Sequence, residues 1–146
     1  QCYTLSFLIA HANQEIRKFN SRYELQQVKH SLGIRVIDHD RADDIRDTTS
    51  LSGGETFIVS LGLALGLSAL SSRNISFENL FIDEGFGTLD PDTLATVIDS
   101  LAMLQSSQGK KVGVISHTDT MSERITTQIR IIKNGNSGSS HLEIYP

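Results

Sequence analysis

The sequence has very little cysteine: Cys2 is the single one among 146 residues. One cysteine cannot form an internal disulfide, and its scarcity predicts a protein of a reducing compartment such as the cytoplasm. The sequence also lacks an apolar run long enough to span a membrane, and its first residues lack the pattern of a secretory signal. We therefore expect no membrane partner.

An excess of positive charge is missing as well. The 13 Lys and Arg residues are outnumbered by 17 Asp and Glu, which gives a net charge of −4 at pH 7. No global field attracts such a chain to nucleic acid, so any contact with DNA requires a local basic patch. The composition, 38% hydrophobic and 21% charged, is that of a globular protein with room for one domain and a core.

The most informative stretch is Leu80–Asp90, where an apolar run leads directly into two carboxylates. A short apolar run without alternation predicts a strand buried on both faces of a parallel sheet. Asp83 and Glu84 then lie at the carboxyl end of that strand, where open α/β sheets bind ligands. Mg²⁺ relieves the repulsion between such acids and also binds substrate phosphates. We interpret Asp83 as the Mg²⁺ ligand and Glu84 as the acid facing an attacking water; the alternative is a plain strand with a polar turn.

A second motif, Leu-Ser-Gly-Gly-Glu at residues 51–55, precedes the apolar segment Phe57–Leu70. The length and composition of that segment predict a buried helix. Ser52 is placed as its N-cap, and Glu55 completes a capping box. Gly53 and Gly54 leave backbone N–H groups accessible at the positive end of the helix, which suits a phosphate. A plain capped helix is the alternative, although it does not explain two glycines.

A third signal follows the acids. Asp90 and Pro91 predict an N-cap and a first helical residue, with a helix continuing to about Leu104. A short apolar strand over residues 112–115 then ends at Ser116 and His117. Because strand, helix and strand imply a parallel right-handed crossover, we expect His117 at the same sheet edge as the two acids. A purely structural histidine is the alternative.

The flanking segments complete the expected layout. Apolar periodicity predicts an amphipathic helix over residues 3–20, and two β segments at 22–29 and 33–39 predict an antiparallel hairpin. In that hairpin Ile34, Val36 and Asp38 share one face. The charged stretch 38–49 is expected to be a solvated loop that binds no ligand.

The remaining segments carry weaker signals. Residues 71–79 are expected to form a polar connection. After His117 we expect a short helix at 119–124 and strands near 127–133 and 141–145. Four other histidines have no partner that the sequence reveals and are interpreted as surface or packing residues: His11, His30, His39 and His141.

The order of these motifs resembles the carboxyl-terminal ATPase lobe of the SbcC-type subunit, an SMC-like, ABC-class component of the SbcCD DNA-repair nuclease. Ser52–Glu55 resembles the signature motif, Leu80–Glu84 the Walker B strand, Gly87–Asp90 the D-loop, and Ser116-His117 the switch histidine. The resemblance is strong over residues 50–120. It implies an α/β fold of the P-loop NTPase type: an ABC-ATPase-like half head whose mixed or parallel sheet is flanked by helices.

The resemblance also implies a mechanism in which two heads sandwich two ATP molecules and Mg²⁺. Its partners would be the amino-terminal lobe of the same protein, a second head in a homodimer, an SbcD-type nuclease subunit and double-stranded DNA. The implied roles are phosphate binding in the other head for Ser52, Gly53, Gly54 and Glu55, Mg²⁺ binding for Asp83, activation of water for Glu84, γ-phosphate contact for His117, and coupling between heads for Asp90.

One departure from the family limits what this chain can do. The phosphate-binding loop Gly-x-x-x-x-Gly-Lys-Ser/Thr occurs nowhere in it. In SbcC-like proteins that loop lies at the amino end, separated by a long coiled coil, and the chain here starts with Gln1 rather than Met. We therefore expect residues 1–146 to be half of a head, with residues 1–20 continuing from a missing coil. Such a half should not hydrolyse ATP alone, and its apolar strands should leave one sheet face exposed.

Three alternatives stay open. A transporter nucleotide-binding domain is disfavoured because such domains usually carry Pro and Gln where this chain has Gly85 and Glu55. An SMC-like architectural DNA clamp shares most motifs, and only the amino-acid sequence of residues 85–89 argues against it. A non-catalytic binding module is disfavoured because Glu84 and His117 are both retained.

Overall fold

The computed structural model describes residues 2–71, 79–109, 111–135 and 138–146, which form two compact units, Gln1–Val114 and Ile115–Pro146. The first unit contains, in chain order, α1 Cys2–Phe19, β1 Tyr23–Gln27, β2 Ile34–Asp38, β3 Asp44–Asp47, α2 Gly53–Ser71, β4 Asn79–Asp83 and α3 Pro91–Gln108. Strand β5, Lys111–Ile115, crosses the boundary, and the second unit adds α4 Asp119–Arg124, β6 Gln128–Lys133 and β7 Ser140–Tyr145. The polar connection expected at residues 71–79 lies almost entirely outside the described residues.

Helices α1 and α2 pack closely against each other at small residues. Ala12 and Ile16 of α1 are fully buried, as the predicted amphipathic stripe requires. A Cβ atom added to Gly66 of α2 would lie 2.6 Å from the backbone nitrogen of Ala12. Because the backbone of α1 cannot easily move away, the glycine permits this close helix–helix contact.

The predicted antiparallel hairpin is confirmed, and it carries a third strand that the sequence did not reveal. Strand β2 pairs with β1 and, on its other side, with β3. The expectation of a solvated loop over residues 38–49 was therefore wrong, since Asp44–Asp47 is an edge strand between two short 3₁₀ turns. The physical reason is that β2 offers a free edge whose backbone groups need partners, and a charged segment can supply them as well as an apolar one.

Asn13 joins α1 to the first strand of this sheet. Its side chain is buried, its Nδ2 donates to the Leu25 carbonyl oxygen at 2.9 Å, and its Oδ1 accepts from the Leu25 amide at 2.8 Å. One side chain thus satisfies both backbone polar groups of a buried residue at the edge of β1.

Strands β4 and β5 form a separate two-stranded parallel sheet. The expectation that β4 is buried on both faces was wrong for this chain: none of its residues is fully buried, and Phe81 is 75% exposed. Within the described residues this sheet has two strands, which is too few to enclose its own apolar side chains. The exposure agrees with the expected open sheet face.

Helix α3 has the predicted caps. The Asp90 side chain accepts from the Thr93 amide at 3.0 Å, and Pro91 occupies the first turn. Gly109 follows the last turn in the left-handed conformation, so the helix runs four residues past the predicted end at Leu104.

The second unit contains the short helix and the two strands that the sequence predicted. Strands β6 and β7 pair antiparallel, and Ile129 lies opposite Ile144. His141 contacts Asn134 and Glu143 here, and His39 in the first unit contacts Asp43 and Glu24. Both histidines are exposed, as expected of surface residues, and have partners that the sequence did not reveal. Among the described residues, no helix combines the length and apolar character needed to cross a membrane.

We predict that Asn13→Ala destabilises the first unit by about 2 kcal/mol or more, because it leaves the buried N–H and C=O groups of Leu25 unpaired. The neighbouring Gln14 is exposed on the same helix. Gln14→Ala is therefore the matched control and should change stability by less than about 0.5 kcal/mol. Urea unfolding followed by circular dichroism measures both. Equal stability of the two variants would show that the Asn13 bridge contributes nothing.

Candidate functional site

The amino end of α2 is closed by the predicted capping box. The Ser52 amide donates to Glu55 Oε2 at 2.6 Å, and the Glu55 amide donates to Ser52 Oγ over a longer 3.4 Å. The carboxylate thereby takes up one of the N–H groups at the helix start. The positive end of the helix dipole lies at Gly53 and Gly54, the first two residues of α2.

The Glu55 carboxylate also binds two side chains from the three-stranded sheet. Tyr23 Oη of β1 donates to Oε1 at 3.0 Å, and Arg46 Nη1 of β3 donates to the same oxygen at 2.8 Å. Burial alone would raise the pKa of Glu55, but the hydrogen bonds from Arg46, Ser52 and Tyr23 outweigh it and lower the pKa to about 2. Burial and the hydrogen bond to Glu55 raise the pKa of Tyr23 to about 12.

A second carboxylate, Asp38, contacts the same group of side chains. Its side chain is fully buried and binds Arg22 through two hydrogen bonds of 2.7 Å, with Arg46 Nη1 3.6 Å from Oδ2. The hydrogen bonds from Arg22 hold the pKa of Asp38 below its usual range despite burial. Sequence reasoning found the Ser52–Glu55 pair but missed the other members of this cluster. We call the whole set the Glu55 network: Arg22, Tyr23, Asp38, Arg46, Ser52 and Glu55.

The two predicted acids stand where the chain leaves β4. Asp83 is the last residue of the strand, and both Asp83 and Glu84 are exposed. Glu84 has a φ of 57°, which is uncommon for a residue other than glycine, and Gly85 follows with a φ of 91°. The backbone therefore turns sharply at the acid proposed to face water. Strain of this kind is concentrated at functional sites.

The turn after the acids packs against the start of α2. A Cβ atom on Gly54 would lie 2.8 Å from the Thr88 carbonyl oxygen, while Thr88 Oγ1 donates to the Gly85 carbonyl at 2.6 Å. Phe86 is buried beneath this turn, with its ring centroid 4.8 Å from that of Phe57. Gly54 at the helix start is thus needed for space, because a side chain there would overlap the backbone of the turn.

An open cavity of about 650 Å³ lies beside this contact. The helix start and the cap of α3 meet there, since Ser52, Gly54, Glu55 and Asp90 all line it together with Arg22. The structure therefore brings four of the predicted site residues to one cavity. A Cβ atom added to Gly53 would lie 3.3 Å from Cγ2 of Thr88, which also lines the cavity.

The other predicted residues are placed differently. Asp83 and Glu84 do not line the cavity, but the turn that follows them does, through Thr88 and Leu89. His117 belongs to the second unit, and its expected position beside the acids stays a prediction.

Among the described residues, no three His, Cys, Asp or Glu side chains are grouped to hold a metal ion. Two adjacent exposed carboxylates still fit Mg²⁺, which takes one or two protein carboxylates together with phosphates and waters.

Comparison with known proteins gives three findings. Residues 24–103, more than half of the chain, match the sequence model of the family described as SbcC/RAD50-like, Walker B motif. The chain is 49% identical over 140 residues to the SbcC subunit of the SbcCD nuclease from Pseudomonas aeruginosa, and 48% identical over 140 residues to its counterpart from Rhodobacter capsulatus. These matches cover 96% of this chain but 12% and 11% of those proteins. The chain is thus similar to a small part of much longer relatives.

Solved structures agree on the fold. A chain from a study of ATP-driven dimerisation and DNA-stimulated activation of SMC ATPases superposes with a TM-score of 0.73 at 16% identity, covering 99% of this chain and 86% of that one. The SMC head domain from Thermotoga maritima gives a TM-score of 0.61 at 20% identity, covering 97% of this chain and 48% of that one. The α/β fold of the P-loop NTPase type, predicted from the sequence, is confirmed.

We predict that Gly85→Ala destabilises the first unit by about 2–4 kcal/mol, because a side chain there adds left-handed strain and overlaps a neighbouring ring. A Cβ at this position would lie 2.2 Å from Phe57 Cδ2. Gly109→Ala is the matched control, because Gly109 has a φ of 65° and a Cβ atom added there would have no neighbour within 4 Å. This substitution should lower stability by about 1–2 kcal/mol. Urea unfolding compares them, and equal costs would mean that the ring overlap is relieved without penalty.

Proposed function

Because the chain belongs to the SbcC/RAD50-like Walker B family, we propose that it is the carboxyl-terminal half of the ATPase head of an SbcC-like subunit. In this proposal ATP binding drives two heads together, and hydrolysis separates them. The head thereby controls access of double-stranded DNA to an associated ATP-dependent exonuclease and endonuclease in repair and recombination. The packing of the Gly54 helix start against the turn that follows Asp83 and Glu84 carries the proposal.

The proposed roles follow the chemistry of each group. Asp83 would hold Mg²⁺, directly or through water, and the ion would supply positive charge beside the phosphates. Glu84 orients and deprotonates the attacking water. Ser52, with the backbone of Gly53 and Gly54, binds the γ-phosphate of ATP held by the second head, because a helix start offers N–H donors to an anion.

Three further residues support these groups. Glu55 fixes the conformation of the helix start through the capping box. Asp90, on the same cavity as Ser52, couples the two heads across their interface. His117 contacts the γ-phosphate.

The partners proposed are the amino-terminal lobe, a second identical head, an SbcD-type nuclease subunit and double-stranded DNA. The two relatives named above are subunits of the SbcCD nuclease, which supports the choice of nuclease partner. The proposed location is the cytoplasm, where the single cysteine stays reduced.

The transporter alternative conflicts with the backbone at Gly85. Proline fixes φ near −65°, whereas this position has a φ of 91°. A transporter-type sequence with Pro after the two acids would need a different turn here. An SMC-like DNA clamp without a nuclease remains the competing proposal, because SMC heads share this fold.

The central experiment reconstitutes a head from this chain and the amino-terminal lobe of the same protein. The reconstituted head should bind and hydrolyse Mg-ATP, whereas the chain alone should do neither, because the phosphate-binding loop lies on the other lobe. Calorimetric titration and phosphate release measure these activities. Micromolar ATP binding by the isolated chain, or no hydrolysis by the reconstituted head, would overturn the proposal.

We predict that Glu84→Gln lowers ATP hydrolysis by the reconstituted head about 10²–10⁴-fold while ATP binding and head pairing persist. The amide keeps the size of the side chain but cannot accept the proton of the attacking water. Asp99→Asn, on the exposed face of α3, is the matched control and should hydrolyse ATP at the wild-type rate. Normal turnover by Glu84→Gln would remove Glu84 from its proposed role.

We predict that Ser52→Arg abolishes ATP-driven dimerisation while a single reconstituted head still binds ATP with wild-type affinity. The bulky cation would fill the space proposed for the phosphate of the second head. Ser60→Arg places the same side chain on an exposed position of α2 and should dimerise normally. Sedimentation measures dimerisation, and titration measures ATP affinity. Lost ATP affinity in the monomeric head would show that Ser52 contacts the nucleotide bound by its own head. Intact dimerisation would show that residues 52–54 form only a helix cap.

A further inference from the structure

Arg46 belongs to none of the motifs that the sequence revealed. Its Nη1 lies 2.8 Å from Glu55 Oε1, and its Nη2 donates to the Ser50 carbonyl oxygen at 2.6 Å. One guanidinium therefore links the carboxylate inside the first turn of α2 to the backbone just before that helix. The Arg46 side chain is only 15% exposed, so these contacts are well shielded from solvent.

The charge of Arg46 matters because Glu55 sits at the end of the helix where an anion is proposed to bind. A carboxylate at that end repels a phosphate unless a cation balances it. Arg22 is a poor candidate for this task, because both of its hydrogen bonds of 2.7 Å go to the buried Asp38. Arg46 lies 3.6 Å from Asp38, but it donates shorter hydrogen bonds to the Glu55 carboxylate and to the Ser50 carbonyl oxygen.

Tyr23 supplies a second, uncharged constraint on the same carboxylate. Its hydroxyl reaches Glu55 Oε1 at 3.0 Å from β1, while the ring is buried. The carboxylate is consequently held from two strands and cannot rotate away from the Ser52 amide without breaking several hydrogen bonds.

We propose that Arg46 is a positioning residue for phosphate recognition: it neutralises Glu55 and fixes the approach of Ser50–Ser52, so that the helix start can accept an anion. This inference rests on the proposed function of the head. Arg46 need not touch the nucleotide. It acts through Glu55 and the backbone of the helix start, and Tyr23 assists it.

The test measures the ATP concentration that gives half-maximal dimerisation of the reconstituted head, by sedimentation. Arg46→Gln should raise that concentration about tenfold, as expected for the loss of a charge-assisted hydrogen bond, while ATP affinity of the monomeric head stays unchanged. Arg35→Gln is the matched control, since Arg35 is exposed on the neighbouring strand β2, and it should behave as wild type.

The double variant Arg46→Gln/Glu55→Gln separates charge balance from a merely structural role. Removing both charges leaves a neutral amide that can still accept from Ser52 and Tyr23, so the double variant should dimerise at a lower ATP concentration than Arg46→Gln. Glu55→Gln alone completes the cycle. A double variant no better than Arg46→Gln, or Arg46→Gln dimerising at the wild-type concentration, would overturn the inference.

Tyr23→Phe provides an independent test if Arg46→Gln does not fold. Loss of one hydroxyl should raise the half-maximal concentration about threefold, whereas Tyr3→Phe on an exposed residue should not change it. A wild-type value for Tyr23→Phe would contradict the inference. A wild-type head that fails to dimerise with ATP would instead defeat the proposed function, so the two failures are distinguishable.

Discussion

The interaction on which the described site depends is the set of hydrogen bonds to the Glu55 carboxylate. One side chain accepts from the Ser52 amide, from Tyr23 of β1 and from Arg46 of β3. These bonds tie the amino end of α2 to two strands of a sheet that precedes it in the chain. Because buried charges are tolerated only when they are paired and hydrogen-bonded, the position of each partner restricts the others.

The contact between Gly54 and Thr88 extends this constraint to the acids. The helix start is fixed on one side by the Glu55 network and touches, on the other, the turn that follows Glu84. Any displacement of the turn must therefore be accommodated at the helix start or at the buried ring of Phe86. The unusual φ of Glu84 and the absence of space for a side chain at Gly85 show how little freedom this turn has. The helix start proposed to bind phosphate and the turn that follows the two acids are thus in contact within one unit.

Local signals in the sequence predicted the local structure well. The capping residues Ser52 and Asp90, and the periodicity of α1 and β2, depend on neighbours a few positions away, and the structure confirms them. The partners of Arg46 and Asp38 depend instead on which strands become neighbours, which a charged segment does not reveal. The prediction that β4 is buried failed for a related reason. Phe81 is apolar but exposed, because burial of its side chain requires elements beyond the β4–β5 pair. The alternation that places Asp38 beside Val36 was the one available sign of a buried carboxylate.

The hydrogen bonds of the Glu55 network keep the Glu55 carboxylate ionised in the folded chain, which an NMR titration of its side-chain carboxyl carbon measures directly. The hydrogen bonds to the carboxylate lower the pKa of Glu55 from the ordinary 4.5 to about 2 in the folded state. Stability from this group is therefore present above pH 4.5 and is lost as the pH falls toward about 2. We predict a titration midpoint near 2 in folded protein. A midpoint near 4.5 in folded protein would show that Arg46, Tyr23 and Ser52 do not hold the carboxylate and that the Glu55 network does not fix the helix start.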